Sequence, residues 1–391
     1  APLALAIGGV VALQRSGRPG SGSVAFGAAL LGAGSTFAAG GAVAAQIAGS
    51  RRSALAMGGL ALAASFVIRA VGDVGSGHLS WLSPIGWAQA IRAFANERWW
   101  VLLLPAAATA ALLAVAVALQ AHRDEGAGII AQRGGPPGAA PYLRTPVALA
   151  FRLQRAMILG WSVGLGLMAL FYGIIADQAE RIIEENPDME EFFAHLGDAS
   201  VTDAYLSTSV LIIALISSGF MISSVLRLRS EEVASRADPI LATHISRSSW
   251  AAGHLLVGAV GAVVLLGVSG AAMGVGFTAV TGDISHVPTM FAAGLVMVPA
   301  VWVLGGITML LFGIRSASAL AGWLALVGVF VVGLVGSLLD LPNWSRNLSP
   351  FQHVPALPAE SFAAMPVILL VAVAATAAAV GLVALGRRDI S

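Results

Sequence analysis

The side chains able to do chemistry in this chain are few, and they concentrate in one stretch. There is no cysteine and no lysine, all 21 basic residues being arginine. That removes a thiolate nucleophile, a thiolate metal site and a disulfide framework. It also removes the lysine of a phosphate-binding G-x-x-x-x-G-K-[ST] loop. The seven histidines are scattered without metal-ligand spacing, and no patch suited to nucleic acid is present. The dense stretch is 227–247, which reads Arg227-Leu-Arg229-Ser230-Glu231-Glu232-Val-Ala-Ser235-Arg236-Ala-Asp238-Pro239-Ile240-Leu241-Ala-Thr-His244-Ile245-Ser246-Arg247. Ser230 followed by two acids predicts a helix N-terminus, where carboxylates meet the positive end of the dipole. Glu232 and Arg236 stand i,i+4 in the favourable order, and Ile240 and Leu241 add an apolar patch. The pattern describes a short amphipathic helix able to dock into a partner. It equally describes an ordinary charged loop on a membrane surface.

Other candidates are sparser. Arg69 and Asp73 form an i,i+4 pair near the end of an apolar run, readable as a gate or as an interfacial structural pair whose arginine snorkels. Ser83-Pro84 and Ser349-Pro350 each precede a short amphipathic stretch, with Trp87 in the first; an interfacial aromatic belt of Trp81, Trp87, Trp99 and Trp100 is the simpler account. The segment 177–203 carries nine acids and one arginine, as a solvated face would. Arg144 to Arg155, with Val147, Leu149 and Phe151, reads as an interfacial elbow helix, preceded by the linker Gly134-Gly-Pro-Pro-Gly138.

The elements that must position these residues follow from composition. The chain of 391 residues is 58% hydrophobic with a mean hydropathy of +0.86, and 10% of it is charged, against about 25% in soluble domains. Such a chain is an integral membrane protein. A span needs about 20 apolar residues, and long uncharged runs occur at 1–14, 19–50, 53–68, 99–121, 156–176, 204–226, 248–282, 284–314, 316–339 and 361–386. The expected fold is all-α, a polytopic bundle of ten spans, because lipid leaves backbone groups no other partner outside a closed barrel.

Arginine bias orients the spans. One side collects Arg51, Arg52, 121–155, 227–247, Arg315 and the terminal Arg387-Arg388-Asp389, giving 14 arginines against 6 acids; the other has 6 arginines against 14 acids. The basic side, with the C-terminus, is expected in the cytoplasm. An internal repeat also emerges. Gly49-Ser-Arg51, Leu82-Ser83-Pro84 and Arg123-Asp124 recur as Gly313-Ile-Arg315, Leu348-Ser349-Pro350 and Arg388-Asp389. From Gly to Ser the intervals are 34 and 36 residues, and from Pro to the last Arg 39 and 38. This gives a first repeat at 1–122, a linker at 123–143 and a second, six-span repeat at 144–391. Ala1 maps near residue 265 of the second copy, so the first is expected to lack its opening spans, with a natural start roughly 120 residues earlier.

The run Arg227 to Trp250 resembles the coupling-helix region of ABC type-2 exporter permeases, in the two-repeat branch associated with export of polyketide antibiotics such as tetronasin. Phe66-Val-Ile-Arg69-Ala-Val-Gly72-Asp73, Leu82-Ser83-Pro84-Ile-Gly86-Trp87, Arg98-Trp99-Trp100 and Arg388-Asp389-Ile390 are similar to other signatures of that branch. This chain has Ser235 where the family tends to have Gly, Asp238 where it has Glu, and His244-Ile245 where a proline is usual. The resemblance implies an inner-membrane permease that exports hydrophobic antibiotics or drugs. Glu231, Glu232, Arg236, Asp238, Pro239, Ile240, Leu241 and Arg247 would then couple it to a separate ATP-binding subunit present in two copies. ATP and Mg would be held by that partner, this chain binding no cofactor or metal. Ser83, Pro84, Trp87, Ser349 and Pro350 would belong to paired re-entrant segments capping the outer end, with Arg69 and Asp73 on a neighbouring span as a further gate candidate. A proton-coupled antiporter is the alternative; it needs a titratable group at mid-membrane, and every acid here lies in or close to an expected loop. A non-transporting relay to an outer enzyme is a third reading, disfavoured by outer loops of under about 30 residues where a folded domain would be needed.

Overall fold

A computed structural model describes residues 2–74, 77–121, 138, 143, 145–184, 200–335 and 342–388. Among them the regular structure is helical throughout, with no strand. Eight helices are long and apolar enough to cross a membrane, and the runs at 1–14 and 53–68 fall on the shorter apolar helices Pro2–Arg15 and Ser53–Arg69. The chain is therefore a multi-pass helical membrane protein. Two compact units divide it, Ala1–Pro137 and Gly138–Ser391.

The first unit contains α1 (Pro2–Arg15), α2 (Gly20–Ile47), α3 (Arg51–Val74), α4 (Pro84–Ala90) and α5 (Leu103–Gln120). Helix α2 is its centre and touches the other four. Small residues let this happen, since helices in lipid associate by close packing and not by expelling water. Thr36 on α2 bonds back to the Gly32 carbonyl (2.9 Å) and lies 3.3 Å from the Thr109 hydroxyl on α5. Two hydroxyls in apolar surroundings thus satisfy each other.

The second unit contains α6 (Pro146–Glu184), α7 (Val201–Val233), the single turn α8 (Asp238–Leu241), α9 (Arg247–Thr281), α10 (His286–Val296), α11 (Val298–Ile314), α12 (Ala321–Val335), the turn α13 (Asn343–Arg346) and α14 (Ala364–Arg387). Helix α7 is the buried axis, with Val210, Ile213, Leu215, Phe220, Met221, Ile222 and Leu228 all enclosed. Several of its serines return to the backbone four residues earlier, as Ser209 does to the Tyr205 carbonyl (2.8 Å) and Ser218 to that of Ala214 (3.1 Å). That keeps the helix apolar to its neighbours. Helices α6 and α9 run parallel along most of their length, Gly253 meeting Pro146 and Gly276 meeting Leu170. A Cβ at Gly173 would sit 2.0 Å from the Met273 carbonyl oxygen, so only glycine permits the approach. Helices α10 and α11 form one 29-residue span, His286–Ile314, interrupted at Met297. Pro299 accounts for the break, since it has no N–H to give the preceding turn.

Two expected boundaries differ. The elbow stretch is continuous with the span behind it, because α6 runs unbroken from Pro146 to Glu184, 39 residues, or about 58 Å at 1.5 Å per residue. Nothing in 146–155 stops a helix once Pro146 has opened it. At its far end α6 extends eight residues into the acidic segment, and 185–199 lies outside the described residues, as does most of the linker 123–143.

Candidate functional site

The alternation of direction in the second unit brings the ends of α7, α11 and α14 to the same end of the bundle as the starts of α6 and α9. The 227–247 stretch lies there. Helix α7 continues through Ser230, whose hydroxyl donates to the Arg227 carbonyl one turn back (2.8 Å). Glu231 and Glu232 therefore close a helix and do not open one. At that position the dipole repels carboxylates, so cations must hold them.

Arg236 Nε donates to Glu231 Oε2 at 2.8 Å, and Arg227 Nη2 lies 3.3 Å from Glu231 Oε1. Glu232 does not pair with Arg236 as its spacing predicts; Arg388 Nη2 donates to both its oxygens at 2.7 and 2.8 Å, across 156 residues of sequence. The Glu232 side chain is 9% exposed and that of Arg388 15%. Arg388 also donates through Nη1 to the Phe312 carbonyl (2.9 Å), and its guanidinium stacks 4.9 Å from the Phe312 ring centre. Arg247 donates to the Arg388 carbonyl. Four helices (α7, α9, α11 and α14) are thus tied through one arginine.

The helix end explains why Arg236 reaches Glu231. Ser235 N–H donates to the Glu232 carbonyl and Arg236 N–H to that of Glu231, both at 2.9 Å. This is a Schellman ending, and it requires a left-handed residue at Ser235, which has φ 51°. Glycine would take that conformation freely. The chain then makes the single turn α8, not a free-standing amphipathic helix. Ile240 and Leu241 pack inward on the core, as does Ile245, while Asp238 and Pro239 face out. The outward surface is Val233, 69% exposed, with Arg236, Asp238, Pro239 and His244. Val233 escaped the sequence reading because it stood inside the charged run.

A buried polar group adjoins this end and was also missed. Ser224 Oγ on α7 donates to Gln154 Oε1 on α6 at 2.5 Å, and Gln154 Nε2 lies 3.1 Å from His254 Nδ1 on α9. All three are buried, and Trp250 packs edge-on against the His254 ring. Ser224, Arg227 and Glu231 share one face of α7 by their spacing of three and four. The signal available in the sequence was the cost of Gln and His in otherwise apolar helices.

The Ser-Pro motifs take different forms. Ser83 caps α4 by accepting from Gly86 N–H (3.3 Å), and its hydroxyl donates to the Ser65 carbonyl on α3 (2.7 Å). Pro84 opens α4 and lines an apolar cavity of about 300 Å³ between α2, α3 and α5, with Ser65 and Ile68. Trp87 Nε1 donates to the Trp81 carbonyl (2.5 Å), and Trp81 stacks on Trp100. Ser349-Pro350 instead opens a four-residue 3-10 turn, with Ser349 buried. Arg69 is half-buried on α3 and its carbonyl accepts from Ser80 (3.3 Å); the Asp73 side chain lies outside the described residues. Among the described residues no three His, Asp or Glu converge as metal ligands.

Residues 143–385 match the family described as the C-terminal domain of the multidrug efflux system permease Rv1217c. The chain is also 39% identical over 372 residues to the multidrug efflux system permease protein Rv1217c of Mycobacterium tuberculosis (strain ATCC 25618 / H37Rv). That alignment covers 95% of this chain and 68% of the relative.

Proposed function

We propose that this chain, which belongs to the multidrug efflux system permease family, is the membrane permease of an exporter driven by a separate ATP-binding subunit. That subunit docks on the exposed surface formed by Val233, Arg236, Asp238 and Pro239. The observation that carries the reading is the arginine tie behind that surface. A push on α8 reaches Glu231 and Glu232 at the end of α7, and through Arg388 reaches α11 and α14. Rigid helices joined in this way move between discrete packings. Two copies of the subunit, each with its ATP and Mg, would serve the two repeats.

Arginine bias supports a cytoplasmic side for this end, in the plasma membrane. Transport is then outward, with α4 of the first unit and the Ser349-Pro350 turn of the second serving as gate elements. Hydrophobic antibiotics or drugs are the substrate class, in keeping with the apolar wall around Ser65 and Pro84.

The test is co-purification from native membranes in mild detergent, comparing wild type with Asp238→Arg, which inverts an exposed charge and leaves the arginine tie intact. An ATP-binding subunit retained by wild type and lost from the variant supports the reading; equal retention, or no ATPase at all, counts against it. The competing reading is proton-coupled antiport, which needs a titratable group at mid-membrane, whereas the buried His254 lies toward the Arg-rich end beside Gln154. Antiport requires efflux to collapse with the proton gradient and in His254→Ala, and to persist without ATP.

A further inference from the structure

Toward the Arg-rich end, α6 and α9 leave on their outer surface a crevice of about 410 Å³ whose walls include Phe151 and Ile158 on one side and Leu256, Val260 and Val264 on the other. The lining is apolar apart from Thr145 at its mouth, and Phe151, Leu256, Val260 and Val264 are exposed. Its volume lies within the ~300–1,000 Å³ of ligand clefts. The position along the membrane normal can be read from the helix. The apolar run of α6 starts at Ala156 and is about 30 Å long through Ala176 at 1.5 Å per residue, which matches the hydrocarbon core. Ile158, Val260 and Val264 are therefore within the hydrocarbon, and Phe151 and Thr145 are at headgroup level.

Two arginines stand at the same boundary. Arg155 falls between Phe151 and Ile158 on one stripe of α6, four residues after the first and three before the second. Arg152 is one turn beyond Ala148, another wall residue. Both are exposed, and neither has an ion pair or hydrogen bond with a described residue. Side chains on a helix lean toward its N-terminus, which here carries both guanidinium groups out of the hydrocarbon to the headgroup plane above the crevice.

We propose that this crevice is a binding site for an anionic phospholipid, its phosphate-bearing headgroup on Arg152 and Arg155 and one acyl chain between α6 and α9. Charge complementarity selects the occupant. A neutral or zwitterionic lipid would fill the apolar part equally well but would bring no net counter-charge to the two cations. Such basic sites at helix junctions are where acidic headgroups are held. The bound chain would brace the pair of helices that carries Gln154 and His254.

The experiment is native mass spectrometry of the whole chain, released from nanodiscs of equal phosphatidylglycerol and phosphatidylcholine. Wild type should retain one phosphatidylglycerol in preference to phosphatidylcholine, by about five-fold for each arginine, and the preference should fall as salt is raised. The R152Q/R155Q double variant should lose the preference, and V260W, which fills the crevice, should lose the retained lipid. Equal retention of both lipids by wild type, or a preference insensitive to salt, would overturn the proposal even if the variants fold poorly. So would a preference surviving in R152Q/R155Q, or lipid retained at wild-type level by V260W, in variants whose melting matches wild type.

Discussion

The two ends of the second unit are closed by different kinds of contact. At the Arg-rich end, Glu231 and Glu232 are held by three arginines, one of them reaching across four helices. At the opposite end the described tie between α7 and the 355–360 loop is neutral. The Ser207 hydroxyl on α7 has the Asp203 carbonyl at 2.7 Å and the Ala356 carbonyl at 3.1 Å as acceptors and itself accepts from Ala359 N–H (3.3 Å), while Phe351 and Val354 are buried beside it. A charged pair on long side chains tolerates displacement of the helices that it joins, because the side chains can follow. A short hydroxyl bond to a loop either forms or breaks. Under the proposed function, the first would suit an end that transmits motion and the second an end that opens.

The largest expected effect breaks the first end. Arg388→Ala strands the Glu232 carboxylate with little solvent and should cost about 3 kcal/mol, read as a fall in thermal midpoint by circular dichroism in detergent. Adding Glu232→Gln should recover part of that loss, whereas simple additivity would mean that the pair is not coupled. At the other end Ser207→Ala removes a neutral hydroxyl and should cost about 1 kcal/mol. Ser235→Gly should stabilise by about 1 kcal/mol, since it relieves a left-handed residue in the Schellman ending; a loss of stability would show that Ser235 makes a contact of its own.

Arg236→Ala should cost only about 0.5 kcal/mol, because the Arg236 side chain is 58% exposed and water screens its pair with Glu231. The smallest effect lies in the α9–α10 turn. The Ser285 backbone N–H, then its hydroxyl, hold the Asp283 carboxyl below its ordinary value of 3.8. A lowered folded pKa contributes stability above the unfolded value and loses it as pH falls through the folded one. Asp283→Asn should therefore differ slightly from wild type at neutral pH and match it in strong acid.

The sequence made the helical class and the ten apolar runs legible, because lipid restricts the backbone so severely. Which charge meets which was not legible. Glu232 has two possible arginines, one four residues away and one 156 residues away, and spacing favours the wrong one. The Ser-Glu-Glu signal for a helix start was overridden because α7 was already helical and nothing at Arg227–Arg229 stops it. The two Ser-Pro copies show a similar limit. Gly86 lets the first turn approach Ser80 so closely that a Cβ would lie 2.0 Å from its carbonyl oxygen, and α4 follows. In the second, Pro355 forces Val354 into extended backbone (φ −91°, ψ 130°), so the helix stops after one turn. Ser235 is where the family resemblance and the geometry meet: a residue in the place of an expected glycine adopts the conformation that glycine would.

The proposed docking puts an ATP-binding subunit over Asp238. A chain without cysteine makes this directly measurable, since Asp238→Cys introduces a single thiol on the α8 turn. Ile284→Cys, at a site 77% exposed at the opposite end, is the control. Both variants should label readily with a maleimide when the protein is alone, and in the complex with the ATP-binding subunit labelling at position 238 alone should disappear. Unchanged labelling at 238 in a complex shown to contain that subunit would rule out docking on the α8 turn.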